Sequence, residues 1–73
     1  MKFVLQKGND YIQLNQLLKL LNLVESGGEA NQVISDGLVK VNALKETRKR
    51  KKLVAGDVVL FNEIKIFITS DED

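Results

Sequence analysis

The chain has 73 residues, with 11 Lys+Arg against 10 Asp+Glu and no His, Cys, Pro or Trp. A chain of this length makes one small domain, residues 1–73, and buries only about 60% of the surface its unfolded form exposes. Without Cys or His, disulfides, Cys/His zinc sites and His-based acid–base or nucleophilic catalysis are excluded.

The hydrophobic fraction, 44%, is that of a globular chain rather than a disordered one. The longest apolar stretch, Leu17 to Val24, is broken by Lys19 and Asn22, so no membrane span is expected. Residues 1–6 lack the apolar core of a signal peptide, which makes a cytoplasmic location the expectation.

In chain order, Phe3-Val4-Leu5 reads as a short strand and Gly8-Asn9-Asp10 as a turn. Tyr11-Ile12 is a brief extended piece. Leu14, Leu17, Leu18 and Leu21 then recur at helical spacing, which predicts a helix over 14–22 with Asn15, Gln16, Lys19 and Asn22 on its polar side. Ser26-Gly27-Gly28-Glu29 has the S-x-x-E form of a capping box. It opens a second helix over 27–36, whose apolar face is Ala30, Val33 and Ile34. Gly37 suits the left-handed position just beyond it. The period then changes to two. Leu38–Val41, Val58–Phe61 and Ile64–Ile68 read as strands, with tight turns at Asn42-Ala43 and Asn62-Glu63. A helix pair followed by a small, mainly antiparallel sheet is an α+β domain, with both apolar stripes on one sheet face.

The charge is uneven. Residues 1–36 carry a net −1, whereas residues 40–52 carry seven basic side chains against Glu46 alone. Arg48-Lys49-Arg50-Lys51-Lys52 repel one another unless an anion is near. Arg forks two hydrogen bonds to a phosphate and Lys acts as a mobile point charge, so the run points to a polyanion site. Its exposed side chains are expected to matter little for stability. Lys40 and Lys45 flank the Asn42-Ala43 turn and should meet on one edge, with Lys40 facing solvent. Ser26-Gly27-Gly28 either caps the second helix or lets its free N–H groups hold a phosphate. Phe3, Tyr11, Phe61 and Phe67 lie scattered in apolar runs and are expected in the core. The carboxylates form no catalytic pair, so no enzymatic activity, metal or cofactor is expected. Asp71-Glu72-Asp73 reads as a solubilising acidic end.

Taken together, five pieces resemble an S4 RNA-binding domain, closest to the small stand-alone bacterial forms. They are Leu14-Asn15-Gln16-Leu17-Leu18-Lys19, Ser26-Gly27-Gly28-Glu29-Ala30, Ile34 through Asn42, Glu46 through Leu53, and Gly56-Asp57-Val58-Val59. The resemblance covers about residues 11–68. It implies two helices on a small sheet, the αL motif, and structured RNA as ligand, with ribosomal or transfer RNA as the candidate class. It places the contacts on the second helix, the hairpin and the basic loop: Lys19, Ser26, Gly27, Gly28, Asn31, Lys40, Asn42, Arg48, Lys49, Arg50, Lys51 and Lys52. The alternative is a protein-interaction adaptor whose basic loop docks an acidic partner. The oligomeric state is left open.

The chain departs from the S4 pattern in four places. Gln13 stands where S4 domains carry Arg, and Gly27 replaces the Arg that opens the second helix, though the stand-alone forms share Ser-Gly-Gly. Asn31 replaces a Lys, and Ala43 a turn Gly. Cationic contacts are thus expected to shift toward 48–52, with weaker or differently oriented RNA binding.

Overall fold

The computed structural model describes residues 1–70; the acidic end, Asp71-Glu72-Asp73, lies outside the described residues. In order, the elements are β1 (Lys2–Leu5), β2 (Ile12–Gln13), α1 (Leu14–Leu20), α2 (Gly27–Ser35), β3 (Val39–Val41), β4 (Leu44–Lys45), β5 (Lys52–Leu53), β6 (Val58–Phe61) and β7 (Ile64–Ser70).

Five strands form one sheet in the order β1-β7-β6-β3-β4, and β2 and β5 form a separate two-stranded ladder. The pairs β3–β4, β3–β6 and β6–β7 are antiparallel, as the period-two runs and tight turns predict. β1 runs parallel to β7, with Lys2 opposite Phe67 and Leu5 opposite Ser70. One core joins the helix pair to the inner sheet face. Leu14, Leu17, Leu18, Ala30 and Ile34 from the helices, Val39, Val59 and Ile66 from the strands, and Leu53 are all inaccessible to solvent. Val33 and Leu21 are only partly buried at its edge.

Both helices end in the same way. Asn22 donates its N–H to Lys19 O at 3.0 Å and Leu23 to Leu18 O at 3.0 Å, with Asn22 at φ 58°. Gly37 and Leu38 repeat this on Ile34 O and Val33 O, with Gly37 at φ 77°. These paired reversals satisfy carbonyls that a helix end leaves free. The first helix therefore stops at Leu20 rather than 22, because Asn22 takes the left-handed reversal position itself. At α2 the predicted cap is present, Ser26 Oγ accepting the Glu29 N–H at 3.1 Å. Glu29 Oε1 reaches past Ser26 to accept the Glu25 N–H at 2.7 Å.

Both two-residue hairpin turns place two non-glycine residues at positive φ: Asn42 and Ala43 at 52° and 71°, Asn62 and Glu63 at 52° and 66°. That is the backbone of the turn whose twist matches paired strands. The tight turn thus forms without a glycine, with Ala43 in a conformation that disfavours a Cβ. The aromatic expectation needs correction. Phe61 is buried and Phe3 partly so, but Tyr11 is 42% and Phe67 46% exposed. Phe67 alternates with buried Ile66 and Ile68, which turns its ring to the outer sheet face.

Candidate nucleic-acid interface

The basic run is not one loop. Arg48–Lys51 form a turn, and Lys52 belongs to β5, directly opposite Gln13 of β2. The turn is fastened by its backbone. Lys51 O accepts the Leu14 N–H at 2.9 Å and Lys49 O accepts the Asn15 N–H at 3.1 Å. α1 has no side-chain cap at Gln13, so these carbonyls supply partners for N–H groups that its first turn leaves free. The side chains are thereby released from any anchoring task, with one exception.

That exception is Arg48, whose partner sequence reasoning missed. Its Nε donates to Glu46 Oε2 at 2.8 Å, its Nη2 to Oε1 at 3.1 Å, and its backbone N–H to Oε2 at 3.1 Å. The Arg48 side chain is 72% exposed and that of Glu46 only 11%. The hydrogen bonds from Arg48 hold the Glu46 carboxyl below the usual carboxylate value; burial opposes this, and the charges of Arg48 and Lys51 add to it. The Glu46 carboxylate in turn raises Arg48 above its already high value. Without Arg48 a mostly buried carboxylate would lose its partner, so Arg48 has a structural task that a freely solvated run would lack. The available signal was that Glu46 is the lone acid among seven cations.

Two adjoining grooves take up the run. One, of about 490 Å³, has Asn42, Lys45, Arg48 and Lys51 in its lining; the other, of about 470 Å³, is lined by Arg48, Arg50, Lys51 and Lys52. They share Arg48 and Lys51. The structure thus joins four of the five run residues to the β3–β4 hairpin and adds Lys45, which stands opposite Lys40 in the register. Lys40 itself lines neither groove; it faces out from the sheet. Asn42 contributes position more than a free amide. Its Nδ2 donates to Asp57 Oδ1 at 3.0 Å and its Oδ1 accepts the Val58 N–H at 2.9 Å.

On the helix side, Asn15 connects the parts. Its N–H binds Lys49 O, and its Nδ2 donates to Asn31 Oδ1 at 3.1 Å, while its own Oδ1 is buried without a partner among the described residues. The middle of α2, at Asn31, is thereby linked through Asn15 to the basic turn. Lys19, exposed, follows Asn15 by four residues and so continues the same side of α1. Ser26 Oγ is taken up by the cap, whereas the N–H groups of Gly27 and Gly28 have no partner among the described residues.

Lys52 Nζ lies 4.9 Å from the centroid of the exposed Tyr11 ring, a cation–π contact that holds the end of the run against the β1–β2 connection. A cavity of about 680 Å³ opens beyond that connection and is lined by residues such as Tyr11, Gln16 and Leu20 but by no Lys or Arg. Among the described residues no group of three or more acidic side chains is placed to hold a metal ion, and no helix is long and apolar enough to cross a membrane.

Residues 3–69 match the family model described as the S4 domain. The chain is 49% identical over 51 residues, 70% of its length and 73% of the relative's, to the Escherichia coli (strain K12) protein named "Putative RNA-binding protein YbcJ". It is 42% identical over 50 residues, 68% and 70% of the two lengths, to the Bacillus subtilis (strain 168) protein named "Probable ribosome maturation protein RlbA". The solution structure of the E. coli protein, described as revealing an αL motif involved in RNA-binding, superposes with a TM-score of 0.70 at 40% identity, over 93% of this chain and 85% of that one.

Proposed function

The chain belongs to the S4 domain family, an RNA-binding module rather than a catalytic domain, and on that premise we propose that it binds structured RNA of the ribosome through the basic turn and the helix ends beside it. The observation that carries this reading is the pair of adjoining grooves lined by Asn42, Lys45, Arg48, Arg50, Lys51 and Lys52, fastened to α1 by backbone carbonyls alone. A-form RNA presents phosphates and 2′-hydroxyls over a shallow surface, which suits a cationic lobe beside a helix pair. The name of the E. coli relative supports RNA, and that of the B. subtilis relative the ribosome. Arg50, Lys51, Lys52 and Lys49 supply the phosphate contacts, with Lys19, Asn31 and the open amides of Gly27 and Gly28 along the helix side.

The test is a titration of one ribosomal RNA stem-loop at several salt concentrations. If four to six phosphates are neutralised, log affinity should fall against log salt with a slope of about −4 to −5, using the duplex DNA coefficient for A-form RNA. Arg50→Ala should flatten that slope by about one unit. Arg50 is the informative choice because its side chain has no partner among the described residues, unlike that of Arg48. An acidic protein partner releases few condensed ions, so a slope near zero, or one that Arg50→Ala leaves unchanged, would favour the adaptor reading instead.

A further inference from the structure

Of the six lysines outside the basic run, four stand at positions 2, 40, 45 and 65, which show no pattern in the sequence. The sheet gathers them. Lys40 lies opposite Lys45 on one side and Leu60 on the other, and Leu60 lies opposite Lys65, so one cross-strand row reads Lys45, Lys40, Leu60, Lys65. Three strand spacings of about 4.8 Å give this row a length of about 14 Å. The next row outward holds Val58, Phe67 and Lys2 in register. Lys2, Lys40, Lys65 and Phe67 alternate with buried or partly buried inward residues and are all exposed, while Val58 and Leu60 are half-buried between them. Lys45 closes the row at the sheet edge, its stem leaning across Gly37. The five strands of this sheet contain no Asp or Glu. Both helices pack on the other face, so no element of the described chain covers this one.

We propose that this outer sheet face is a second nucleic-acid site, which seats a single-stranded segment of the RNA held at the basic turn, with phosphates on Lys40, Lys65 and Lys2 and an unpaired base on Phe67. The proposal rests on the reading of RNA as ligand and adds a surface and a strand type to it. Charge complementarity selects the occupant. A face with four lysines and no carboxylate in its strands attracts a polyanion and disfavours a second copy of itself. A single strand is favoured over a duplex because an exposed ring set among cations can stack an unstacked base, whereas paired bases have their faces covered. Lys45 is the hinge between the two sites, since it lines the groove of the basic turn and ends the lysine row. RNA that leaves the groove at Lys45 reaches Lys40 across one strand spacing.

The experiment compares a blunt ribosomal RNA stem-loop with the same stem-loop carrying a ten-nucleotide 3′ or 5′ single-stranded extension, by fluorescence anisotropy. The wild type should bind one extended form more tightly than the blunt form. Phe67→Leu, which keeps the apolar contact and removes the ring, should lose about 5- to 150-fold on the extended RNA, the range of one base–aromatic stack. Phe67→Tyr should retain the affinity. Lys65→Gln should flatten the salt slope of the extended RNA by about 0.7. None of the three should alter binding of the blunt form. Equal affinities for blunt and extended RNA, or Phe67→Leu and Lys65→Gln behaving as wild type on both, overturn the second site. Equal losses on blunt and extended RNA overturn its assignment to a single strand. Failure of the first site reads out separately: wild type would not bind the blunt form at all, while a free ten-nucleotide strand would still report on the sheet face.

Discussion

Leu17→Ala tests the core on which both surfaces depend. Leu17 is inaccessible to solvent between the helix pair and the sheet, whereas Leu20, one turn further along the same short helix, is 64% exposed. Replacing the isobutyl group of Leu17 by methyl deletes three carbons, about 2.4 kcal/mol at about 0.8 kcal/mol for each buried carbon. The cavity left behind raises the loss toward the range of about 2–5 kcal/mol seen for buried leucines. A chain of 73 residues holds about 4–11 kcal/mol in total, so the variant should lose about a fifth or more of its stability. In urea unfolding followed by far-ultraviolet circular dichroism, an m-value of about 1 kcal/mol/M turns this loss into a midpoint lowered by at least about 2 M. Leu20→Ala is the control. It removes the same atoms from solvent-exposed helix, where Ala is at least as good a helix former, and should change stability by less than about 0.5 kcal/mol. A loss below about 1 kcal/mol for Leu17→Ala, or equal losses for both variants, would refute the packing argument.

Two further substitutions address the turns that frame the candidate site. Glu46 has its pKa depressed from the ordinary 4.5, so its contribution is present above that value and is lost as pH falls through the depressed folded value. Wild type should therefore lose melting temperature on acidification below about pH 4.5 more steeply than Glu46→Gln, and parallel acid profiles of the two would sink this account. Ala43 sits at φ 71°, so Ala43→Gly should relieve a left-handed strain of about 1–2 kcal/mol against a glycine entropy cost of about 0.5–1 kcal/mol. The expected net gain is about 0.5–1 kcal/mol by chemical denaturation; a destabilised Ala43→Gly variant would show that the turn is not strained.

Most of the fold could be read from local patterns, because its signals are local. The stripe of Leu14, Leu17 and Leu18, the Ser26 cap, Gly37 beyond α2 and the period-two strands β6 and β7 each depend on residues a few positions apart. What escaped depends on distance or on a residue with two tasks. The β1–β7 pairing joins Lys2 to Phe67 across nearly the whole chain, and no local period encodes it. Asn22 reads as a polar helix position, yet as a reversal residue it ends α1 early. Asn42 reads as a free turn amide, yet it fastens Asp57 and Val58. Glu46 was hidden by the cations around it. Phe67 was legible: in Ile64-Lys65-Ile66-Phe67-Ile68 it shares the alternation of Lys65, and its apolar character outweighed that signal in the core assignment.

The departures from the S4 pattern acquire a spatial meaning in the register. Position 13, where S4 domains carry Arg, lies directly across the β2–β5 ladder from Lys52. Position 31, where the stand-alone forms carry Lys, touches Asn15, whose N–H is bound by the carbonyl of Lys49. An Arg at 13 would stand beside Lys52 with like charges opposed, a destabilising cross-strand pair. A Lys at 31 would crowd the same junction, which in this chain is closed by neutral amides. The basic turn of this chain lies one strand or one hydrogen bond away from these two positions, fastened by its backbone and by the Glu46–Arg48 pair. On the proposed reading the cationic lobe is centred on the basic turn and Lys45, and Lys45 stands opposite Lys40 in the sheet, rather than on the ends of α1 and α2.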